Sequence, residues 1–346
     1  MDKSVGIVSY GAYIPESVIK SGEIAQAHNG KDMGPVLGVE QKTVPGIDED
    51  STTIAVEAAY QAYLRLTERE FLEKKMGVIF VGSESHPYAV KPTSGIVAQA
   101  LGLQKYMAMA DMQFACKAGT QSLQACFAYV KSKMADFGLA IGVDTAQSRP
   151  GDVLEYTAGA GGAAFFVGRE NLLAEMVGTV SVATDTPDFW RRPRQEFPEH
   201  AGRFSGEPAY FNHILTAGRK LLSDLDMKIS DFDYCIFHTP NGKFPKAVAK
   251  TMGCSEDQIK HSLVVRTIGN TYAAASLMAL TNVLDQAKGG EKIFMASYGS
   301  GAGSDCFAFN CAENMQERKA DWNNFLSSQI GNRFISYSEY RKRTEK

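Results

Sequence analysis

The sequence has no CxxC pair, no unbroken apolar run near the roughly 18 residues of a membrane-spanning helix, and no large excess of either charge. Each absence excludes a class. Six cysteines in 346 residues, none at metal-ligand spacing, argue against a disulfide framework or a zinc site and are expected as reduced thiols. A net charge of −3 offers no attraction for nucleic acid or an anionic membrane. The opening MDKSVGIVSYGAYIPESV lacks the apolar stretch and cleavage site of a signal peptide, so a cytoplasmic protein is expected. The glycine-rich stretches GAGGAAFFVG and YGSGAGSDCFAF are not GxxxxGK[ST], and each runs into a strand-like segment instead of a helix. That excludes Walker A and Rossmann phosphate loops and leaves two equivalent turns between strands. Backbone N–H groups around Ser300 in the second turn could face a developing oxyanion.

What is present is ordinary globular material, 44% apolar and 22% charged, enough for two core-bearing units of about 150 residues each. The two units resemble each other. VGIVSYGAYIP at 5–15 answers VGTVSVATDTP at 177–187, with glycine, serine and proline in register. GVIFVGSES answers DYCIFHT, QFACKAGTQSL answers RTIGNTYAAASL, and LAIGVDT answers IFMASYG. Position 238 less 84, 270 less 116 and 298 less 144 are all 154. The expected fold is therefore α/β, with two duplicated halves, 1–170 and 171–346, each alternating strands with helices in the pattern of parallel sheets.

The duplication places four polar residues at equivalent strand ends: Glu84 and His238 in one pair, Cys116 and Asn270 in the other. In parallel α/β units the carboxyl ends of strands converge on the ligand crevice. Each residue alone has a plainer reading, as a solvated loop acid, a satisfied histidine, a helix N-cap, or a small buried thiol. Cys116 has a sharper one, because KAGTQSLQACFAYVKSK begins a helix there and a helix N-terminus favours a thiolate. Cys126 and Cys235 are expected in the core. The common offset favours one shared site.

The duplicated halves, the cysteine at a helix start, HTPNGKFP and GNTYAAASL resemble the thiolase superfamily of acyl-condensing enzymes over essentially the whole chain. Glu84 in VGSES, with GRFSGEPAYF and HTPNGKFPKAV, is most similar to the archaeal branch of the 3-hydroxy-3-methylglutaryl-CoA synthases. The resemblance implies a layered α/β/α/β/α thiolase-like fold and condensation of acetyl-CoA with acetoacetyl-CoA in the mevalonate pathway. It implies Cys116 as acyl nucleophile, Glu84 as general acid/base, and His238 with Asn270 at the acetoacetyl group. Thr157, Ser205 and Ser300 then line the substrate and Lys243 lies near CoA, while the next basic position expected is Ala247 here, beside Lys246. No prosthetic group or metal is implied. A homodimer is, as is association with an acetoacetyl-CoA thiolase and a small zinc-containing OB-type protein.

The chemistry asks for these residue types independently. Making a carbon nucleophile from an acetyl thioester removes a methyl proton, and a carboxylate of raised pKa suits that task. A decarboxylating ketoacyl-carrier-protein synthase III has no such need, since a carboxylate would repel its malonyl substrate. That enzyme and a catalytically dead scaffold are the alternatives. RRPRQEFPEHAGR is expected as an exposed loop or a CoA phosphate contact, and RFISYSEYRKRTEK as a solvated terminus or a partner-docking tail.

Overall fold

The structure is a computed structural model that describes residues 4–66, 75–202, 205–319 and 333–344. Nine strands form one sheet, numbered in chain order: β1 (Gly6–Tyr13), β2 (Met76–Gly82), β3 (Ala108–Met112), β4 (Phe137–Thr145), β5 (Ala160–Gly168), β6 (Ala174–Ala183), β7 (Tyr234–Phe237), β8 (Lys292–Ala296) and β9 (Gly303–Cys311). Their spatial order is β7-β8-β9-β6-β1-β5-β4-β2-β3. Outward from the centre, β1-β5-β4-β2 on one side matches β6-β9-β8-β7 on the other, so the duplication survives as strand order. Only β3 lacks a counterpart. The sheet is mixed, not parallel as the strand–helix alternation predicts: β3, β2 and β4 run parallel, as do β7 and β8, whereas β1, β5, β6 and β9 pair antiparallel with their neighbours. The reason is local. β4 to β5 and β8 to β9 are joined without a crossover helix, and such connections reverse direction.

The halves meet at a seam of two residue pairs, Gly6 with Glu175 and Ile7 with Ala174. A Cβ on Gly6 would lie 2.2 Å from the Ala174 carbonyl oxygen, so only glycine fits there.

Seven helices matter for the site: α1 (Ser51–Leu64), α2 (Thr93–Ala100), α3 (Ala118–Lys131), α4 (Asn212–Asp224), α5 (Phe244–Met252), α6 (Ala275–Gln286) and α7 (Tyr337–Thr344). α1 starts where Asp50 and Thr53 cap each other's backbone N–H. α5 starts with Pro245 in its first turn and stops at Gly253, whose φ of 85° suits a left-handed cap. α3 and α6 form the middle layer, with Leu123, Phe127 and Val130 of α3 and Leu277, Leu280 and Leu284 of α6 packed in one cluster with both halves of the sheet. α1 and α2 cover the outer face of the first half. α4 and α5 cover the second. The result is the layered α/β/α/β/α arrangement, and each fully buried Leu or Phe of the middle layer contributes about 1.5–3 kcal/mol.

The C-terminal segment is not solvated as expected. Arg333–Phe334 adds a parallel strand to the small sheet of Ser17–Lys20 and Gln41–Val44. Beyond it, Ile335 and Tyr340 are buried against Ile19, Ile24 and Tyr156.

Candidate active site

Between β3 and α3 the chain turns sharply, with Ala115 in the left-handed region at φ 45°, a conformation that costs an L-residue free energy and persists only where its surroundings impose it. That turn carries Cys116, 5% exposed and two residues ahead of α3. Lys117 behind it is buried, its ammonium 3.0 Å from Asp305 on β9. Asp305 also accepts hydrogen bonds from Thr120 and Ser181. The nucleophile turn is thereby fastened to the second half of the sheet.

Glu84 follows β2, and its carboxyl and the Cys116 thiol lie close enough that each acts on the charge of the other. Burial, with the Asp144 carboxylate nearby, pushes Glu84 up to about 8, against the opposing influence of Cys116 and Arg191. Burial also raises the Cys116 thiol well above its ordinary value, and the Glu84 charge adds to the rise. The lowered thiol pKa expected from the helix terminus is therefore corrected: desolvation and a neighbouring carboxylate outweigh the dipole of a helix that begins two residues later. The Cys116 thiol is thus protonated at rest, with a carboxyl of raised pKa beside it.

Asp144, near the end of β4, holds this arrangement together. Its Oδ1 accepts from Ser83 Oγ, Ser85 Oγ and Glu84 N at 2.7, 2.6 and 2.8 Å, and its Oδ2 from Ala273 N at 2.8 Å. One buried carboxylate thus ties the Glu84 loop to the turn after Asn270. Burial raises its pKa while these four donors pull it down.

His238 follows β7, 1% exposed, with its N–H bonded to Ala296 O and its carbonyl accepting the Tyr210 hydroxyl at 2.6 Å. Burial lowers its imidazole to about 3, so it is neutral near pH 7. Asn270 Oδ1 accepts from Tyr272 N at 2.9 Å in a turn ahead of the helix, its backbone N–H bonds Thr157 O at 2.6 Å, and the residue lines the pocket.

Cys116, His238, Asn270, Thr157 and Ser300 line one cavity of about 200 Å³ whose wall is mostly apolar, with Leu37, Val153, Leu154 and Phe244 among it. Glu84 lines a neighbouring cavity of about 270 Å³ with Ser85, Gln147 and Arg191. Phe189 and Tyr272 border both. Glu84 Oε1 and His238 Nδ1 are buried and have no hydrogen-bond partner among the described residues. Unpaired polar atoms are costly in an interior, and here they point to groups that a substrate satisfies. Fixing the turn around Ser300, the N–H of Gly299 bonds Gly303 O and that of Gly301 bonds Asp188.

Six expected site residues therefore cluster: Glu84, Cys116, Thr157, His238, Asn270 and Ser300. Lys243 is exposed at the start of α5, beside the lining residues Asn241 and Phe244 but not among them. Ser205 opens the turn Ser205–Phe211, and its side chain lies outside the described residues, as do Arg203 and Phe204 of GRFSG. RRPRQEFPEH of that segment lies in the hairpin of Phe189–Trp190 and Glu199–His200, which sets Phe189 and His200 against the cavity. Sequence reasoning missed Asp144, Tyr272 and Phe189. An acid inside the apolar strand LAIGVDT was the one available signal for Asp144.

Comparison with known proteins adds the family. Residues 222–311 match the model of the 3-oxoacyl-[acyl-carrier-protein] synthase III C-terminal region. Hydroxymethylglutaryl-CoA synthase of Methanopyrus kandleri is 51% identical, covering 99% of this chain and 97% of its own length. That of Methanocaldococcus jannaschii is 52% identical over 91% of each, and that of Archaeoglobus fulgidus 48% over 99% of each. Among solved structures, an HMG-CoA synthase complexed with CoA superposes with a TM-score of 0.89 at 22% identity, covering 99% of this chain and 91% of that one. A relative half identical over nearly the full length settles what a shared Cys, His and Asn set cannot, and the chain belongs to the hydroxymethylglutaryl-CoA synthase family of condensing acyltransferases.

Proposed function

We propose that this condensing enzyme joins acetyl-CoA to acetoacetyl-CoA with Cys116, Glu84 and His238 as its catalytic residues and Asn270, Thr157, Ser205, Ser300 and Lys243 around the substrate. The observation that carries the reading is that Cys116, His238 and Asn270 line one cavity while Glu84, its carboxyl raised by burial to about 8, lines the cavity beside it. Glu84 takes the thiol proton as sulfur attacks the acetyl carbonyl, and CoA leaves as a thiol with a proton returned to it. Glu84 then removes a methyl proton from acetyl-Cys116, while N–H groups of Cys116 and Ser300 receive the enolate charge. The enolate carbon bonds the ketone carbon of acetoacetyl-CoA. His238 and Asn270 hydrogen-bond that ketone oxygen, and the alkoxide is protonated from the acid form of Glu84. Water finally cleaves the thioester to give HMG-CoA and the free thiol. Residues 1–170 supply the nucleophile and base, and residues 171–346 the groups at the acceptor ketone.

A homodimer across the free edge of β3 fits the surface. Met109 on β3 and Tyr106 just before it are exposed, as are Tyr88 and Val90 in the loop before α2, where Val90 holds a left-handed φ of 77°. The acceptor acetoacetyl-CoA is the product of the thiolase that the family resemblance implies as a further partner.

The test of the catalytic reading is incubation with acetyl-CoA followed by peptide mass spectrometry. Acetylation on Cys116, lost in Cys116→Ser together with condensation, is the expected result. Acetylation of another residue, or turnover retained in the serine variant, rejects the assignment.

A further inference from the structure

The turn that faces Cys116 across the cavity is held from behind by the C-terminal helix. Glu155 lies in the 3-10 turn Val153–Tyr156 and is fully buried. Its Oε2 accepts the Gly151 N–H at 2.7 Å and sits 2.9 Å from His28 Nε2, and its Oε1 accepts the Tyr337 hydroxyl at 2.9 Å. The Tyr337 oxygen is also 3.0 Å from His28 Nε2, and the two rings meet edge-on with centroids 5.2 Å apart. Burial and the Glu155 carboxylate raise the Tyr337 phenol, which keeps it protonated as a donor. The carboxylate is therefore fastened at three points, one of them from α7, far away in sequence.

On its other side the same turn is pocket wall. Val153, Leu154 and Thr157 line the cavity with Cys116 and His238. Leu154 O accepts the N–H groups of Thr157 and Ala158, Thr157 O accepts the Asn270 N–H, and Asn270 O accepts the Gly159 N–H. Movement of the turn is thus transmitted to Asn270. Asp152, which caps the turn at Leu154, also faces His200 at 3.2 Å, so the hairpin over the cavity joins the same assembly.

We infer that Tyr337 is a positioning residue of the substrate pocket: through Glu155 the C-terminal helix sets where Thr157 and Asn270 stand relative to Cys116. This rests on the reading of the cavity as a CoA-thioester site. Nothing in α7 itself lines the cavity, and the hydroxyl of Tyr337 reaches it through the turn. Removing the phenol hydroxyl leaves a buried carboxylate oxygen short of a donor, which loosens the turn without touching the nucleophile.

The test compares Tyr337→Phe with the unmodified chain, and Glu155→Gln serves as a second variant that keeps shape and removes the charge. Hydrogen exchange of backbone amides over 152–159 and 268–272 reads the turn directly, calorimetric titration with CoA reads the pocket, and steady-state kinetics reads the split between KM and kcat. Expected are faster exchange confined to those two segments, CoA affinity weakened and KM for acetoacetyl-CoA raised by about ten-fold, and kcat within about two-fold. Unchanged exchange in both variants overturns the inference. Faster exchange with unchanged CoA affinity and KM overturns it too, because Tyr337 then only anchors the tail. Should the unmodified chain form no acetyl-Cys116, the catalytic reading fails while exchange and CoA affinity still decide the role of Tyr337.

Discussion

At the scale of single residues, the site works by withholding charge. Burial keeps the Glu84 carboxyl protonated up to about pH 8, and His238 is neutral because it is buried. The Glu84 carboxyl, at about 8 against an ordinary 4.5, must lose its proton before it can act as a base. Exchange of acetyl-enzyme methyl protons with deuterated water should therefore rise with pH and level off above about 8, and Glu84→Gln should slow it by roughly 10²–10⁴-fold while acetyl-Cys116 accumulates. Exchange that is flat between pH 6 and 9 would exclude Glu84 as the base. Stability carries the same signature. A raised acid stabilises the native state below its unfolded value of 4.5 and loses that contribution as pH climbs through 8, so the Gln variant should gain on the unmodified chain by up to about 4 kcal/mol in urea unfolding between pH 5 and 9. The four strand-end residues are legible in the sequence because the duplication repeats at a constant offset. Their protonation is not, since it depends on neighbours such as Asp144 that are brought close only by folding.

Among elements, the decisive contact is that of the first turn of α3 with β2, β4 and the turn before α6. A Cβ on Gly119 would stand 2.3 Å from the Ala273 carbonyl oxygen, and one on Gly82 would meet Ala118 O at 2.2 Å. Backbone rests on backbone there, which keeps the Cys116 and Asn270 turns side by side. Gly119→Ala should accordingly lower stability by at least about 2 kcal/mol and reduce acylation, as overpacking does in a closed core. Gly95, in the middle of α2, meets nothing closer than 3.6 Å, so Gly95→Ala should be neutral or stabilising by about 0.5–1 kcal/mol. Equal thermal shifts in the two variants would contradict this account. Helix and strand alternation is readable from sequence, yet the directions of β5 and β9 are not, because a short connection and a crossover leave similar traces in hydropathy. The docking of α7 was equally hidden: YSEYRKRT is strongly polar, and it is Tyr340, with Ile335 just before the helix, that buries it.

For the whole molecule, the unpaired edge of β3 makes a prediction about assembly. If two copies join there, Met109→Lys should shift the solution mass by light scattering from dimer toward monomer, since a charge at a partly exposed apolar edge position opposes pairing. A dimer unaffected by that change would move the interface elsewhere. The seam of β1 and β6 has a different consequence, historical in kind. A single half standing alone would have needed a second copy to complete the crevice, and symmetry would have put identical side chains at the positions now held by Cys116 and Asn270, and by Glu84 and His238. Two nucleophiles would then have faced each other with no distinct acceptor pocket. With both copies in one chain the equivalent positions need not match, and in the repeat Cys116 corresponds to Asn270 and Glu84 to His238.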